Sequence, residues 1–253
     1  MIMKILMDFR VRIFAVCLTI VVGISLMFGS TQASAQSAGS VTHLSGTLSV
    51  ARADGQRLLA VNSPVREGDM LTTERETYAR IKFSDGAEVV LRPNSQLQLA
   101  RYRFDSNQPE GDNMLFSMIK GGMRTVTGLI GRRNRDRVGV TTPTATVGIR
   151  GTHFGLLLCQ GGSCAGIQNA SGRALENGLH ADIANGSIIV TNNAGSLVIN
   201  AGQFGFVADQ ATLPRVVPPD AGLRVSMPNA ISTVIASRGA GIGVNRDDSC
   251  VMQ

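Results

Sequence analysis

The stretch TTPTATVGIRGTHF, residues 141–154, decides the fold class of this chain. Thr and Val favour extended backbone, and Pro143 fits only at a sheet edge or at the start of a strand. Gly148 and Gly151 mark places where the chain bulges or passes another backbone closely. The run GLLL at residues 155–158 follows at once and is short enough for a buried strand, so the stretch feeds a central strand of a β domain.

Upstream, residues 40–104 are a succession of short runs: VTHL at 41–44, GTLSV at 46–50, LLAV at 58–61, ARIKF at 79–83, EVVL at 88–91 and QLQL at 96–99. Several alternate with period two, and Asp54-Gly55, Gly68-Asp69, Asp85-Gly86 and Asn94-Ser95 stand between them as turn formers. Strands at this spacing, without long helical patterns, imply an all-β fold. The expected architecture is an antiparallel β-sandwich or jelly roll, or an irregular β-solenoid, built from short strands and hairpins. The pattern of Gly46 and GTLSV with Gly55 beyond recurs 140 residues later as Gly186 and GSIIV with Gly195 beyond, which reads as a shared hairpin type. Residues 105–111 are polar and mark an exposed loop, and residues 114–119 fit a strand or a short helix. After Thr212 the prolines 214, 218, 219 and 228 predict an irregular tail with at most one helix around residues 230–236.

The first thirty-five residues read as an export signal: Lys4, Arg10 and Arg12 precede an apolar run over 13–29, and Ala33-Ser34-Ala35 supplies the cleavage pattern. Cleavage is expected after Ala35. The apolar run falls short of the ~20 residues of a spanning helix, and Cys17 lies in a poor lipidation context. The expected organisation is a signal peptide over 1–35, a β domain over 40–210 and a tail over 211–253. The mature protein is expected in the periplasm or secreted, with no stable membrane span. Losing Lys4, Arg10, Arg12 and Asp8 brings the formal net charge from +6 to +4 (6 − 3 + 1). An exported protein with this modest excess is expected to meet an envelope protein or an anionic envelope polymer and no nucleic acid.

Cysteine usage fits an oxidising compartment. Cys159 and Cys164 flank a short glycine-containing loop and are the disulfide candidates, a metal site being the rival reading; Cys250 is left over. The strongest charged feature is RRNRDR at residues 132–137, a basic loop. Its guanidinium forks pair bidentately with carboxylate or phosphate, so Arg132, Arg133, Arg135 and Arg137 are the candidate partner contacts; the alternative is a solvated hairpin tip. His153 has no Gly-x-Ser-x-Gly nucleophile pattern and no companion acid at suggestive spacing, and His43 and His180 are equally isolated. Glu74 with Glu76 and Asp247 with Asp248 do not suggest glycosidase geometry, and the absence of Trp argues against a carbohydrate-stacking surface. No catalytic residue, metal or cofactor is expected.

Taken in order, GTLSV at 46–50, Arg66-Glu-Gly-Asp69 with Leu71-Thr-Thr73, ARIKFSDG at 79–86, Leu91-Arg-Pro-Asn-Ser95, Lys120-Gly-Gly-Met-Arg124 and the terminal Arg150-Gly151-Thr152-x-Phe154 resemble the FecR-type periplasmic domain family, named for the iron-dicitrate sensing regulator. The resemblance covers residues 46–155. It implies an all-β periplasmic module and, in the named regulator, receipt of a signal from an outer-membrane transporter and its relay to a sigma factor. Only twelve residues precede the apolar run here, so a cytoplasmic signalling arm is not expected. Within the motif Gly148, Arg150, Gly151, Thr152 and Phe154 are assigned to structure: glycines for backbone approach, Phe154 for the core, and Arg150 for a bond to a turn carboxylate such as Asp69 or Asp85. The expected function is a non-enzymatic binding or scaffold module of the cell envelope. A signal-relay component is the alternative, and an exported enzyme the second alternative.

Overall fold

The computed structural model describes residues 37–228 and Ile231. The export signal, Cys17, the helix expected near residue 230, Asp247, Asp248 and Cys250 lie outside the described residues. In chain order the first strands are β1 (Ser37–Ser45), β2 (Leu48–Arg52), β3 (Gly55–Leu59), β4 (Pro64–Arg66), β5 (Met70–Thr73), β6 (Tyr78–Phe83), β7 (Glu88–Leu91) and β8 (Gln96–Arg103). They are followed by β9 (Asn113–Val126), the short helix α1 (Leu129–Arg133), β10 (Val138–Thr141), β11 (Thr146–Cys159), β12 (Gly178–Asn192), β13 (Gly195–Asn200), β14 (Phe204–Val207) and β15 (Arg215–Val217). The all-β expectation holds. Residues 114–119 lie within strand β9, and the stretch after Thr212, expected to be irregular, contributes β15 to the sheet.

Hydrogen bonding is continuous, but the pairings resolve into two half-sheets. One runs β3, β2, β5, β8, the first half of β9, β10, the first half of β11, the second half of β12, and β13. The other runs β4, β1, β6, β7, the second half of β9, the second half of β11, the first half of β12, β14 and β15. Apolar residues of both halves form one core cluster, and Phe83 of β6 meets Phe116 of β9 edge to face at 5.7 Å between centroids. The arrangement is therefore sandwich-like: two faces enclose one apolar layer, and β9, β11 and β12 pass from one face to the other.

Bending a strand from one face to the other needs a local break in the pleat. In β11 it falls at Gly151, where φ is +66° and the register with β12 shifts between Arg150 and His153. Opposite it stands Gly186, with φ of +74°; a Cβ there would come within 2.5 Å of the Gly151 carbonyl oxygen. The close approach and the positive φ together require glycine at 186, whereas at 151 the space is open and positive φ alone favours it. The repeat at 140 residues has a structural counterpart. Leu48 pairs with Leu59 in the β2–β3 hairpin, and Ile188 pairs with Ile199 in the β12–β13 hairpin, so the two hairpins share one register at opposite edges of the first half-sheet.

The central strand after residue 154 is buried on both sides. Phe154, Leu156 and Leu158 belong to the main core. Leu157 and Cys159 face outward into a second cluster with Cys164 and Val225, against which Ile167, Leu175, Leu223 and Met227 pack. A covering loop after β11 and a strap of chain after β15 thus close the outer face. This explains why the sequence there is a continuous apolar run without polar alternation.

Candidate functional site

The basic run at 132–137, for which a solvated hairpin tip was the alternative reading, does not lie at a hairpin tip. Strands β9 and β10 pair in parallel, from Val138 opposite Met114 to Thr141 opposite Ser117, so the chain must cross over between them. The crossover holds α1 and a 3₁₀ turn, Arg135–Arg137. It is docked at its start by Asp85, whose carbonyl accepts the Leu129 N–H at 2.9 Å and whose carboxylate accepts the N–H groups of Ala87 at 3.0 Å and Ile130 at 3.3 Å. Asp85 is 2 % exposed, and burial pushes its carboxyl above the usual range. Ile130 is fully buried and pins the helix to the core.

The four arginines then project to solvent. Arg133 lies 3.9 Å from the buried carboxylate of Asp112, and the Asn134 side chain caps the 3₁₀ turn by accepting the Asp136 N–H. Arg132, Arg135 and Arg137 make no ion pair or side-chain hydrogen bond among the described residues. The result is a cationic turn docked through its backbone, with the guanidinium groups of Arg132, Arg135 and Arg137 open to an incoming anion.

The motif residues are spread along β11. A Cβ on Gly148 would approach Ile189 Cγ2 to 2.7 Å, and Phe154 is fully buried. Thr152 N–H donates to Thr127 Oγ1 at 3.0 Å, while the Thr152 carbonyl accepts from the Thr127 N–H and hydroxyl at 3.1 and 2.9 Å. This clasp ties the bend of β11 to the end of β9. Arg150 does not bond a turn carboxylate; it is exposed. Asp69 is already held by Arg52 at 2.5 and 2.7 Å and by the Arg66 N–H, and Asp85 serves backbone amides, so neither carboxylate has room for it.

A buried polar cluster lies where no local sequence pattern signals one. Arg124 of β9 donates from Nε to His153 Nε2 at 2.7 Å, and from Nη1 to Asp182 Oδ2 at 2.9 Å and to the Val225 carbonyl at 2.8 Å. Asp182 in turn accepts the Val225 N–H at 3.1 Å. His153 therefore has a guanidinium bonded to it and, through that guanidinium, a carboxylate nearby, at sequence separations that no motif reads. Accepting from Arg124 requires its Nε2 to be unprotonated. Burial, followed by the Arg124 charge, lowers its pKa to about 4 against the pull of Asp182. Among the described residues no serine, threonine or cysteine bonds this ring. The cluster anchors the strap: Val225 lies directly over Gly155, where an added Cβ would meet it at 2.4 Å.

The Cys159 and Cys164 side chains face each other across the loop, close enough to bond. Both are buried in the outer cluster. Protein taken from an oxidising compartment should therefore resist thiol alkylation at 159 and 164 until it is unfolded and reduced. Mass spectrometry of the tryptic digest reads this, and labelling of either residue without reductant would show the thiols to be free. Among the described residues no group of three or more His, Cys, Asp or Glu side chains is placed to hold a metal ion, and no helix is long and apolar enough to cross a membrane.

Residues 69–175 match the family described as FecR protein. The match begins later than the motifs noted in the sequence and ends later, taking in the loop between Cys159 and Cys164. No curated protein gives a significant match. Two crystal structures, at 1.65 and 2.50 Å resolution, of "a putative anti-sigma factor" from Parabacteroides distasonis align with a TM-score of 0.43 and 15 % identity over 60 % of this chain. The alignment also spans 60 % of that chain. From the Asp69 turn through β11 to the loop beyond Cys164, this chain matches the FecR family.

Proposed function

We propose that this protein is an exported, non-catalytic binding module of the bacterial cell envelope, whose FecR domain presents the arginine crossover to an acidic surface of a protein partner. One observation carries this reading: four exposed arginines sit on a backbone fixed at Asp85 and Ile130, and three of them lack a partner among the described residues. Holding like charges together costs stability unless they meet an anion, and a fixed backbone lowers the ordering cost of that encounter. Periplasmic or extracellular location rests on the N-terminal segment. A relay role between a receptor and a regulator is the second reading, and the FecR match over residues 69–175 favours it.

Photo-crosslinking from position 136, which lies exposed among the four arginines and is unchanged in the variant below, tests both readings in intact cells. The expected result is capture of an envelope protein, lost when Arg132, Arg133, Arg135 and Arg137 are changed together to Ala. Since these side chains are exposed, the variant should fold, with only a small change in stability as repulsion is relieved and the long Arg133–Asp112 contact is lost. Capture of an outer-membrane receptor or a membrane regulator would promote the relay reading. Capture only of glycan, or undiminished capture by the fourfold variant, would overturn the proposal.

A further inference from the structure

A second feature, independent of the arginine crossover, lies on β12, β14 and β15. A cleft of about 140 Å³ opens between these strands and the chain segment before β12, with His180, Phe206, Arg215, Glu176, Arg173 and Val217 in its lining. His180 is 6 % exposed, and its Nε2 lies 2.9 Å from the Glu176 carbonyl oxygen. A carbonyl can only accept, so Nε2 carries the proton and, in the neutral ring, Nδ1 is an acceptor. Nδ1 has no partner among the described residues. Burial lowers the pKa of His180 and so favours this neutral form.

The cationic side of the cleft is set in place by two contacts. The Arg215 guanidinium lies over the Phe206 ring at 4.9 Å, and its Nη2 stands 3.4 Å from a Glu176 carboxylate oxygen. Phe206 also holds the His180 ring, at 4.9 Å between centroids. One aromatic side chain thus fixes the bearing of a hydrogen-bond acceptor and of a five-donor cation across the same small space. Arg173 adds a second positive charge at the rim, 3.8 Å from Asp220. Val217 supplies an apolar wall.

We propose that this cleft binds one ring-sized hydroxy-carboxylate, the chemistry of a sugar acid. A cavity of comparable volume holds a single six-membered ring. The carboxylate pairs with Arg215, a ring hydroxyl donates to His180 Nδ1, and the apolar edge of the ring rests on Val217. The orphan acceptor selects a ligand that carries a donor, and the arginines select a negative charge. A neutral sugar lacks the second feature and a plain fatty acid the first.

The test is a ¹H–¹⁵N titration of the full exported chain with D-glucuronate, with D-glucose as the neutral control. Saturable shifts are expected at the amides of Ala174, Phe206 and Ala221. Binding should weaken about tenfold for glucose and for Arg215→Ala, as loss of one charge-assisted pair predicts. His180→Phe retains the stack on Phe206 and should weaken glucuronate binding while leaving the fold intact. An oligouronate that binds more tightly than the monomer identifies an acidic glycan as the source, and equal affinity identifies the free sugar acid. Absence of saturable shifts with glucuronate, equal response to glucose, or indifference to Arg215→Ala would overturn the assignment.

Discussion

Replacing Arg124 by Ala should lower the stability of the folded chain by about 3 kcal/mol, most of it from the carboxylate left behind. Asp182 is 9 % exposed, and Arg124 is its only cationic partner among the described residues. Removing one member of a buried pair strands the other charge and typically costs 3–5 kcal/mol; the residual exposure of both side chains, 14 % and 12 %, places this pair near the lower end. Asp182→Asn keeps an acceptor for the Val225 N–H and should cost less. Changing both residues to apolar ones of similar volume should cost less than the sum of the single changes, because no charge is then stranded. Urea denaturation of the three variants reads this, and a loss below about 1 kcal/mol for Arg124→Ala would show that the charges are solvated. The same cluster sets a pH dependence. His153 titrates at about 4 in the folded protein and near 6.5 when unfolded, so between these values the unfolded chain binds more protons. Its contribution to stability is therefore complete above pH 6.5 and is lost as pH falls toward 4, by on the order of 2 kcal/mol after allowance for the ring's partial contact with solvent. His153→Gln should flatten that slope.

How much of this was legible depends on the range over which each feature is encoded. Hairpins and turns are local, and their pattern and register at residues 46–59 and 186–199 could be read directly. The bend between half-sheets was also written locally, although it takes the structure to see its meaning. Inward residues of β11 are Val147 and Ile149 before Gly151, then Phe154, Leu156 and Leu158 after it, so the alternation changes phase at the bulge. In β12 the phase changes in the same way, from Leu179, Ala181 and Ile183 to Ile188 and Val190 around Gly186. A shift from odd to even apolar positions across one glycine is thus the sequence mark of a strand that serves two faces. The polar cluster had no such mark. Its four members come from β9, β11, β12 and the strap, and each stands alone in its own segment. The helical crossover was hidden for a related reason: only the parallel pairing of β9 with β10, a long-range choice, requires the chain to return between them.

Phe154→Ala should be the most damaging single truncation, with an expected loss of about 3–5 kcal/mol. The ring is fully buried, and it is the first inward residue after the Gly151 bulge, where β11 leaves one half-sheet for the other. Its strand is hydrogen-bonded there on both sides, to Thr125 of β9 and Ile183 of β12, so the backbone cannot close readily over a void. A cavity that cannot collapse carries its full cost. Phe154→Leu keeps most of the volume and should lose less than half as much. The size of the loss also tests whether the two faces share one core. If they do, Phe154→Ala lowers the midpoint of a single denaturation transition without changing its slope, and probes in β2 and in β14 report the same midpoint. If the faces were separate units, the β2 probe would keep its midpoint while the β14 probe shifted, and the sandwich reading would fail. Because β9, β11 and β12 run through both faces, neither half can lose its packing without pulling on strands that the other half needs.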